Sequence, residues 1–199
     1  MLGAIAVAAL APVSATTCAL IGTGLQAETQ LLGILAQRTA TQVRVYSRQK
    51  TNREAFLKRM HALASVDMVA CDTAEDAVSC ADIAVLATTA DTPVIDPAAP
   101  CNVARITSVG PKFRDSHELP LESVADRLLV SDSPQQIRDQ GTRHMLHGHP
   151  RCQDIKHLGD VLLHGRGNGP RQSLYLSAGL AGTEVIALDA ALSHLVAHD

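Results

Sequence analysis

Aromatic side chains are almost missing from this chain of 199 residues, which has no tryptophan, two tyrosines and two phenylalanines. A core without large rings must be filled by Ala, Val, Leu and Ile, as in a parallel sheet covered on both faces. Blocks of basic charge are missing too. Seventeen Lys and Arg against 20 Asp and Glu leave a formal charge of −3, and no basic run marks the chain for a nucleic acid or a membrane surface. No apolar run is long enough to span a bilayer. The five cysteines, Cys18, Cys71, Cys80, Cys101 and Cys152, include no Cys-x-x-Cys pair, so a reduced, cytoplasmic chain is expected. Residues 1–12 are apolar and alanine-rich but lack the positive flank of a secretion signal. They are expected to form a packed helix that Pro12 stops. The length allows one ordinary domain with a small extension.

What is present is a strand, a tight turn and a helix. The apolar run Cys18-Ala19-Leu20-Ile21 ends in Gly22-Thr23-Gly24-Leu25-Gln26-Ala27 and passes into Glu28 to Ala36, whose apolar residues recur at helical spacing. This is the first unit of a dinucleotide-binding fold. Gly22 permits the turn, Gly24 lets the backbone approach a pyrophosphate, Ala27 lets the helix pack on the strand, and free N–H groups at the helix start face the phosphates.

The second strand is predicted over 42–48. About 20 residues beyond the glycines, where an NAD site places an acid for the ribose 2′-OH, the chain has Ser47-Arg48-Gln49-Lys50, with Asn52 and Arg53 beyond. A hydroxyl and a guanidinium suit a 2′-phosphate. NADP(H) is therefore favoured, with NAD(H) the alternative. A helix over 52–64, a third strand over 65–70 and a helix capped by Thr73 follow. The apolar strand 83–87 ends at Thr88 and Thr89, at the crevice of a doubly wound sheet.

A fifth strand over 103–110 runs into the charged loop 111–118, the candidate catalytic side. A helix over 119–127, a sixth strand over 128–130, a helix begun by Ser133-Pro134, a strand over 173–177 and a closing helix over 181–198 complete the pattern. Residues 141–170 read as a surface loop. Its His144, His147, His149 and Cys152 lack a metal-ligand frame. The fold class expected is α/β, a doubly wound Rossmann-type parallel sheet with helices on both faces.

The ordered set Ile21 to Ala27, Tyr46-Ser47-Arg48, Ala81-Asp82-Ile83 through Thr88 to Pro93, Ile106 to Gly110 with Glu118-Leu119, Leu158-Gly159-Asp160 and Ser177 to Ala181 resembles the ornithine cyclodeaminase/mu-crystallin family. The resemblance implies a Rossmann domain over 15–170 and a C-terminal strand and helix over 171–199. It also implies a missing N-terminal lobe that dimerises and grips the substrate carboxylate in full-length members, residues 1–14 being the remnant of the connecting helix. Its cofactor contacts would be Thr23, Leu25 and Gln26 at the pyrophosphate, and Ser47, Arg48, Gln49 and Asn52 at the ribose. Thr88 and Thr89 would line the middle, with Val109, Gly110 and Ser177 near the nicotinamide.

Three departures bear on activity. Lys112 stands where the cyclodeaminase branch has its catalytic aspartate, Leu176 where many members have lysine, and Arg105 and Thr107 where many have His and Asn. The stretch 109–118 looks closer to Δ1-pyrroline-2-carboxylate reductases. The reading that results is an NAD(P)H-dependent reductase of a cyclic imino acid, with a small imino or amino acid as its partner. Lys112 would donate a proton or hold the substrate carboxylate. Ornithine cyclodeaminase and a non-catalytic NADP(H)-binding mu-crystallin-like protein are the alternatives. The missing lobe implies that this chain alone binds cofactor and turns over imino acids poorly.

Overall fold

In the computed structural model, which describes residues 2–98 and 103–179, every layer is placed from the strand Thr17–Ile21 (β1). Residues 18–21 are buried on both faces, so the strand can only sit in the middle of a covered sheet. It pairs in parallel with Gln42–Tyr46 (β2) on one side and Ile83–Leu86 (β4) on the other. Asp67–Ala70 (β3) adds beyond β2, and Arg105–Ser108 (β5) beyond β4.

The outer half is completed by Leu128–Ser131 (β8), Lys156–His157 (β9) and Ser173–Leu176 (β10). The order is β3-β2-β1-β4-β5-β10-β8-β9, parallel throughout. The sheet turns outward in both directions from β1 and β4, which opens a crevice at their carboxyl ends. The last strand in sequence, β10, is inserted between β5 and β8.

Helices cover both faces. Leu2–Leu10 (α1), Leu25–Gln37 (α2) and Lys50–His61 (α3) lie on one. There Leu31, Ile34, Phe56 and Met60 pack on Val43, Val45, Leu20 and Val85. Ala74–Ser79 (α4) and Pro134–Asp139 (α5) lie on the other, packed on Ala19, Ile21, Leu86, Ile106 and Leu174. Small side chains let these layers approach: a Cβ on Gly33 of α2 would stand 2.8 Å from the Cβ of Ala4 in α1. Thr73 and Ser133 cap α4 and α5 by accepting from the N–H of Asp76 and Gln136, as their positions predict.

Two segments differ from expectation. The helix expected over 119–127 is a single 3-10 turn, Leu121–Val124. The carbonyls of Val124, Ala125 and Arg127, which end this segment, accept from the Arg151 guanidinium. The surface loop expected over 141–170 is partly core. His144, Met145, Leu146 and Ile155 are buried, and it contains β9 and the helix Leu158–His164 (α6), whose Leu158 and Val161 pack against α1 residues and Tyr175. A seven-residue helix with two buried positions has too short a period to be read from sequence. The closing helix expected over 181–198 lies outside the described residues, and no described helix is long and apolar enough to cross a membrane.

The carboxyl end of α1 is held by one side chain. Arg38, just past α2, donates to the carbonyls of Pro12 and Ala11, each at 2.7 Å, and of Ala8 at 3.4 Å. Ala8 lies in the last turn of α1, whose carbonyls lack intrahelical partners, and Ala11 and Pro12 directly follow it. Arg38→Met is expected to lower unfolding free energy by about 2 kcal/mol in urea titration. Arg38→Lys should recover only part of it, because an ammonium lacks the fork that spans several carbonyls.

Candidate functional site

The crevice begins at the turn between β1 and α2. Gly22 adopts φ +116, a region that favours glycine, and a Cβ there would collide with the carbonyl of Ala87 beside it. Gly24 is different. Its φ of −84 and ψ of −178 suit any residue, and a Cβ would meet nothing within 4 Å. Neither backbone nor packing among the described residues asks for glycine at 24, which leaves the approach to the start of α2 open. Gly24 leaves the first turn of α2 without a side-chain cap, and Leu25 and Gln26 are exposed there. Free N–H groups and the positive end of the helix dipole thus face the crevice. Ala27 is fully buried, as close packing of α2 on the sheet requires.

At the end of β2, Arg48, Gln49 and Asn52 are exposed and Ser47 is half-buried. Arg53, one of the basic residues of this turn, is engaged within the protein. Its guanidinium donates to Ser47 O at 2.7 Å and Asp72 Oδ1 at 3.0 Å and lies over the Tyr46 ring. It holds the turn in shape, with Arg48 and Lys50 as the exposed cations of the turn.

The middle and far end of the crevice are tied together by Glu118, a fully buried residue. Its Oε2 accepts from Thr88 N at 2.9 Å and Thr88 Oγ1 at 2.8 Å; its Oε1 accepts from Ser108 Oγ at 2.9 Å and Gly110 N at 2.6 Å. A Cβ on Gly110 would collide with this carboxylate and with Thr88 O. Thr89 is exposed beside it.

A second carboxylate, Asp132, follows β8 and is 2% exposed. It accepts from Ala178 N at 2.7 Å and Gly179 N at 3.1 Å, while Gln136 Nε2 donates to Ala178 O. The segment after β10 is thereby fixed, and Ser177 N continues the ladder to Ser108 O. The sequence marks Glu118 only as part of a motif and does not single out Asp132. The signal for it was an acid directly after a fully buried strand, a costly place unless its oxygens are satisfied.

Lys112 lies in a short hairpin, Lys112–Phe113 (β6) against Ser116–His117 (β7). It is 8% exposed, and its Nζ donates to Gly110 O at 2.6 Å, at the lip of the crevice. Burial pulls its proton affinity down to about 8, with the charges of Glu118 and Asp132 acting the other way. A solvated loop lysine is therefore excluded.

Arg105 and Thr107 face α1 rather than the crevice. Arg105 is fully buried 5.5 Å from the Tyr175 ring, and Thr107 lies beside Gly3. Among the described residues no three metal-ligating side chains come together. The Nδ1 atoms of His144 and His149 close turns by accepting from Leu146 N and Arg151 N.

The sequence pattern of the ornithine cyclodeaminase/mu-crystallin family matches residues 2–196. The uncharacterized cyclodeaminase y4tK of Sinorhizobium fredii is 28% identical over 187 residues, which cover 92% of this chain and 56% of that protein. The NAD(P)H-dependent anabolic L-arginine dehydrogenase DauB of Pseudomonas aeruginosa is 36% identical over 124 residues, 61% of this chain and 38% of that one. This chain thus matches little more than half of one curated relative and less than half of the other. The structure of Thermococcus litoralis Δ1-pyrroline-2-carboxylate reductase, in complex with NADH and L-proline, has a TM-score of 0.80 at 27% identity, over 97% of this chain and 63% of that one. Sequence and fold agree, and the chain belongs to the ornithine cyclodeaminase/mu-crystallin family.

Proposed function

We propose that this chain is the cofactor-binding part of an NAD(P)H-dependent reductase of α-imino acids, with Δ1-pyrroline-2-carboxylate as the model substrate. The observation that carries the reading is the buried Lys112 at the far end of the crevice. A lysine desolvated to this extent lowers stability, so its place in the fold is better accounted for by a substrate that it meets than by packing. The same residue speaks against a cyclodeaminase, because an ammonium cannot act as the carboxylate that activates water at an iminium carbon.

The dinucleotide supplies a hydride when bound. Thr23, Gly24, Leu25 and Gln26 offer the open turn and helix start to its pyrophosphate, Ser47, Arg48, Gln49 and Asn52 the ribose side, and Thr88, Thr89, Val109, Gly110 and Ser177 the nicotinamide side. An imino acid entering as its iminium takes hydride at carbon, and the C=N electron pair settles on nitrogen with no further proton needed. What remains for the protein is to orient the substrate and hold its anionic end, and Lys112 fills that role.

NADP(H) is the proposed dinucleotide, from the exposed Arg48 where an acid would repel a 2′-phosphate. Fluorescence titration of the purified chain should show NADPH binding at least about tenfold tighter than NADH, the value of one charge-assisted contact. Arg48→Asp should reverse the order, and equal affinities in the unaltered chain would refute the preference.

Lys112 also gives a stability signature. Its proton is released near pH 8 in the folded chain and near 10.5 when unfolded. The unfolded state therefore holds more protons between these values, and stability should rise with pH across that window. Urea titrations from pH 7 to 10.5 should show this rise in the unaltered chain and its loss in Lys112→Met, which should also be the more stable of the two at pH 7.

A further inference from the structure

We infer that Glu118 is a positioning residue that sets ligand specificity: by binding the donors at the ends of β4 and β5, it leaves the far side of the crevice to carbonyl oxygens. These select a ligand group that donates, the primary amide of a nicotinamide dinucleotide above all. The inference rests on the reading of this crevice as a dinucleotide site and adds to it a reason for which end of the ligand lies where.

The strands β4, β5 and β10 are buried to their last residues, so the wall a ligand can reach is the backbone that follows them. Thr88, Val109, Gly110 and Ser177 are half-buried there and Thr89 is exposed. The donors of this wall are spent inside the protein. Thr88 N and Gly110 N donate to Glu118, as do the hydroxyls of Thr88 and Ser108. Val109 N donates to Leu86 O and Ser177 N to Ser108 O, and Asp132 takes the next two N–H groups of the chain, those of Ala178 and Gly179. No described residue donates to the carbonyls of Thr88, Val109 or Ser177. Thr88 O lies at the seam between β4 and β5, beside the space that a Cβ on Gly110 would fill. The hydroxyls of Thr89 and Ser177 accept as readily as they donate, so they do not break the pattern.

The other side of the crevice has the reverse polarity. The start of α2 has no side-chain cap and keeps free N–H groups, which suit anions. A dinucleotide shares this asymmetry: its phosphates lie at the centre and on the adenosine side, while the nicotinamide half carries hydroxyls and an amide whose NH2 has two donors. Charge acts in the same sense. Glu118 and Asp132 are both buried beside the far wall, and a dinucleotide entering the other way round would bring its 2′-phosphate towards them. Lys112, at the lip on Gly110 O, is reserved in this reading for the anionic end of the substrate. With Glu118 unable to accept, the freed donors of Thr88 and Gly110 would meet a ligand oxygen, and a ketone would serve as well as an amide.

The test measures, by calorimetry on the 199-residue chain, the binding of three ligands. They are NADP+, its 3-acetylpyridine analogue, in which a methyl group replaces the amide NH2, and 2′,5′-ADP, which lacks the nicotinamide half. NADP+ should bind about fivefold or more tighter than the analogue, the value of one hydrogen bond. Glu118→Gln should narrow that gap to about twofold or less and leave 2′,5′-ADP affinity unchanged, a separation that general damage to the fold would not give. Equal affinities for the two dinucleotides in the unaltered chain, or an unchanged gap in Glu118→Gln, would overturn the inference.

Should Glu118→Gln fail to fold, backbone-carbonyl NMR spectra of the unaltered chain carry the decision. A shift of the Thr88 or Val109 carbonyl resonance with NADP+ that the acetylpyridine analogue does not produce supports the role of Glu118, and identical shifts with both overturn it. Binding of 2′,5′-ADP without either dinucleotide overturns the inference and leaves a nucleotide site. Binding of none of the three removes the dinucleotide reading with it.

Discussion

The carboxylate of Glu118 is the point on which the crevice depends. Four donors from the ends of two neighbouring strands converge on its two oxygens, so the carboxyl ends of β4 and β5 share one rigid cross-link. Unpaired, a charge at such depth would be strongly unfavourable; with both oxygens satisfied, it fixes Thr88 and Gly110 at the separation that the sheet allows. Gly110 has room for no side chain because the carboxylate occupies that space. Asp132 repeats the device one strand further on and anchors the backbone after β10.

This framework explains how a chain with so few aromatic residues builds a defined site. Small apolar side chains pack the helices closely against the sheet, shown where Gly33 meets Ala4 and where Ala27 is fully buried. Such packing supplies broad stabilisation but little directional information. Direction comes from polar groups drawn into the fold: half-buried Arg38 at the end of α1 and Arg151 across the 3-10 turn, buried Arg53 beneath the turn after β2, and the two buried acids in the crevice. Each guanidinium spans several carbonyls or joins a carbonyl to an acid, which its planar fork permits and an ammonium does not.

Lys112 stands apart from these groups. Its charge lies within the field of two carboxylates whose oxygens are engaged by other donors, so it is attracted to them while its own contact is a neutral carbonyl. Burial then sets a proton affinity near the working pH of most proteins. His144, on the segment paired with this hairpin, is held as a neutral ring by burial and by the charge on Lys112.

The sequence by itself determined the unit from Thr17 to Gln37, the buried strands and the caps at Thr73 and Ser133, because each depends on residues within one helical turn or one strand of each other. It also marked Arg48 as the candidate for a ribose phosphate, since that position is counted along the chain from the glycines. Only the tertiary structure decided that Glu118 binds Thr88, thirty positions earlier, that Asp132 holds Ala178, forty-six positions later, and that β10 enters between β5 and β8. It likewise turned His144 from a loop histidine into a buried neighbour of Lys112. Contacts of this kind arise from strand order and layer packing, and no local period in a sequence records which distant residue a buried polar atom will meet.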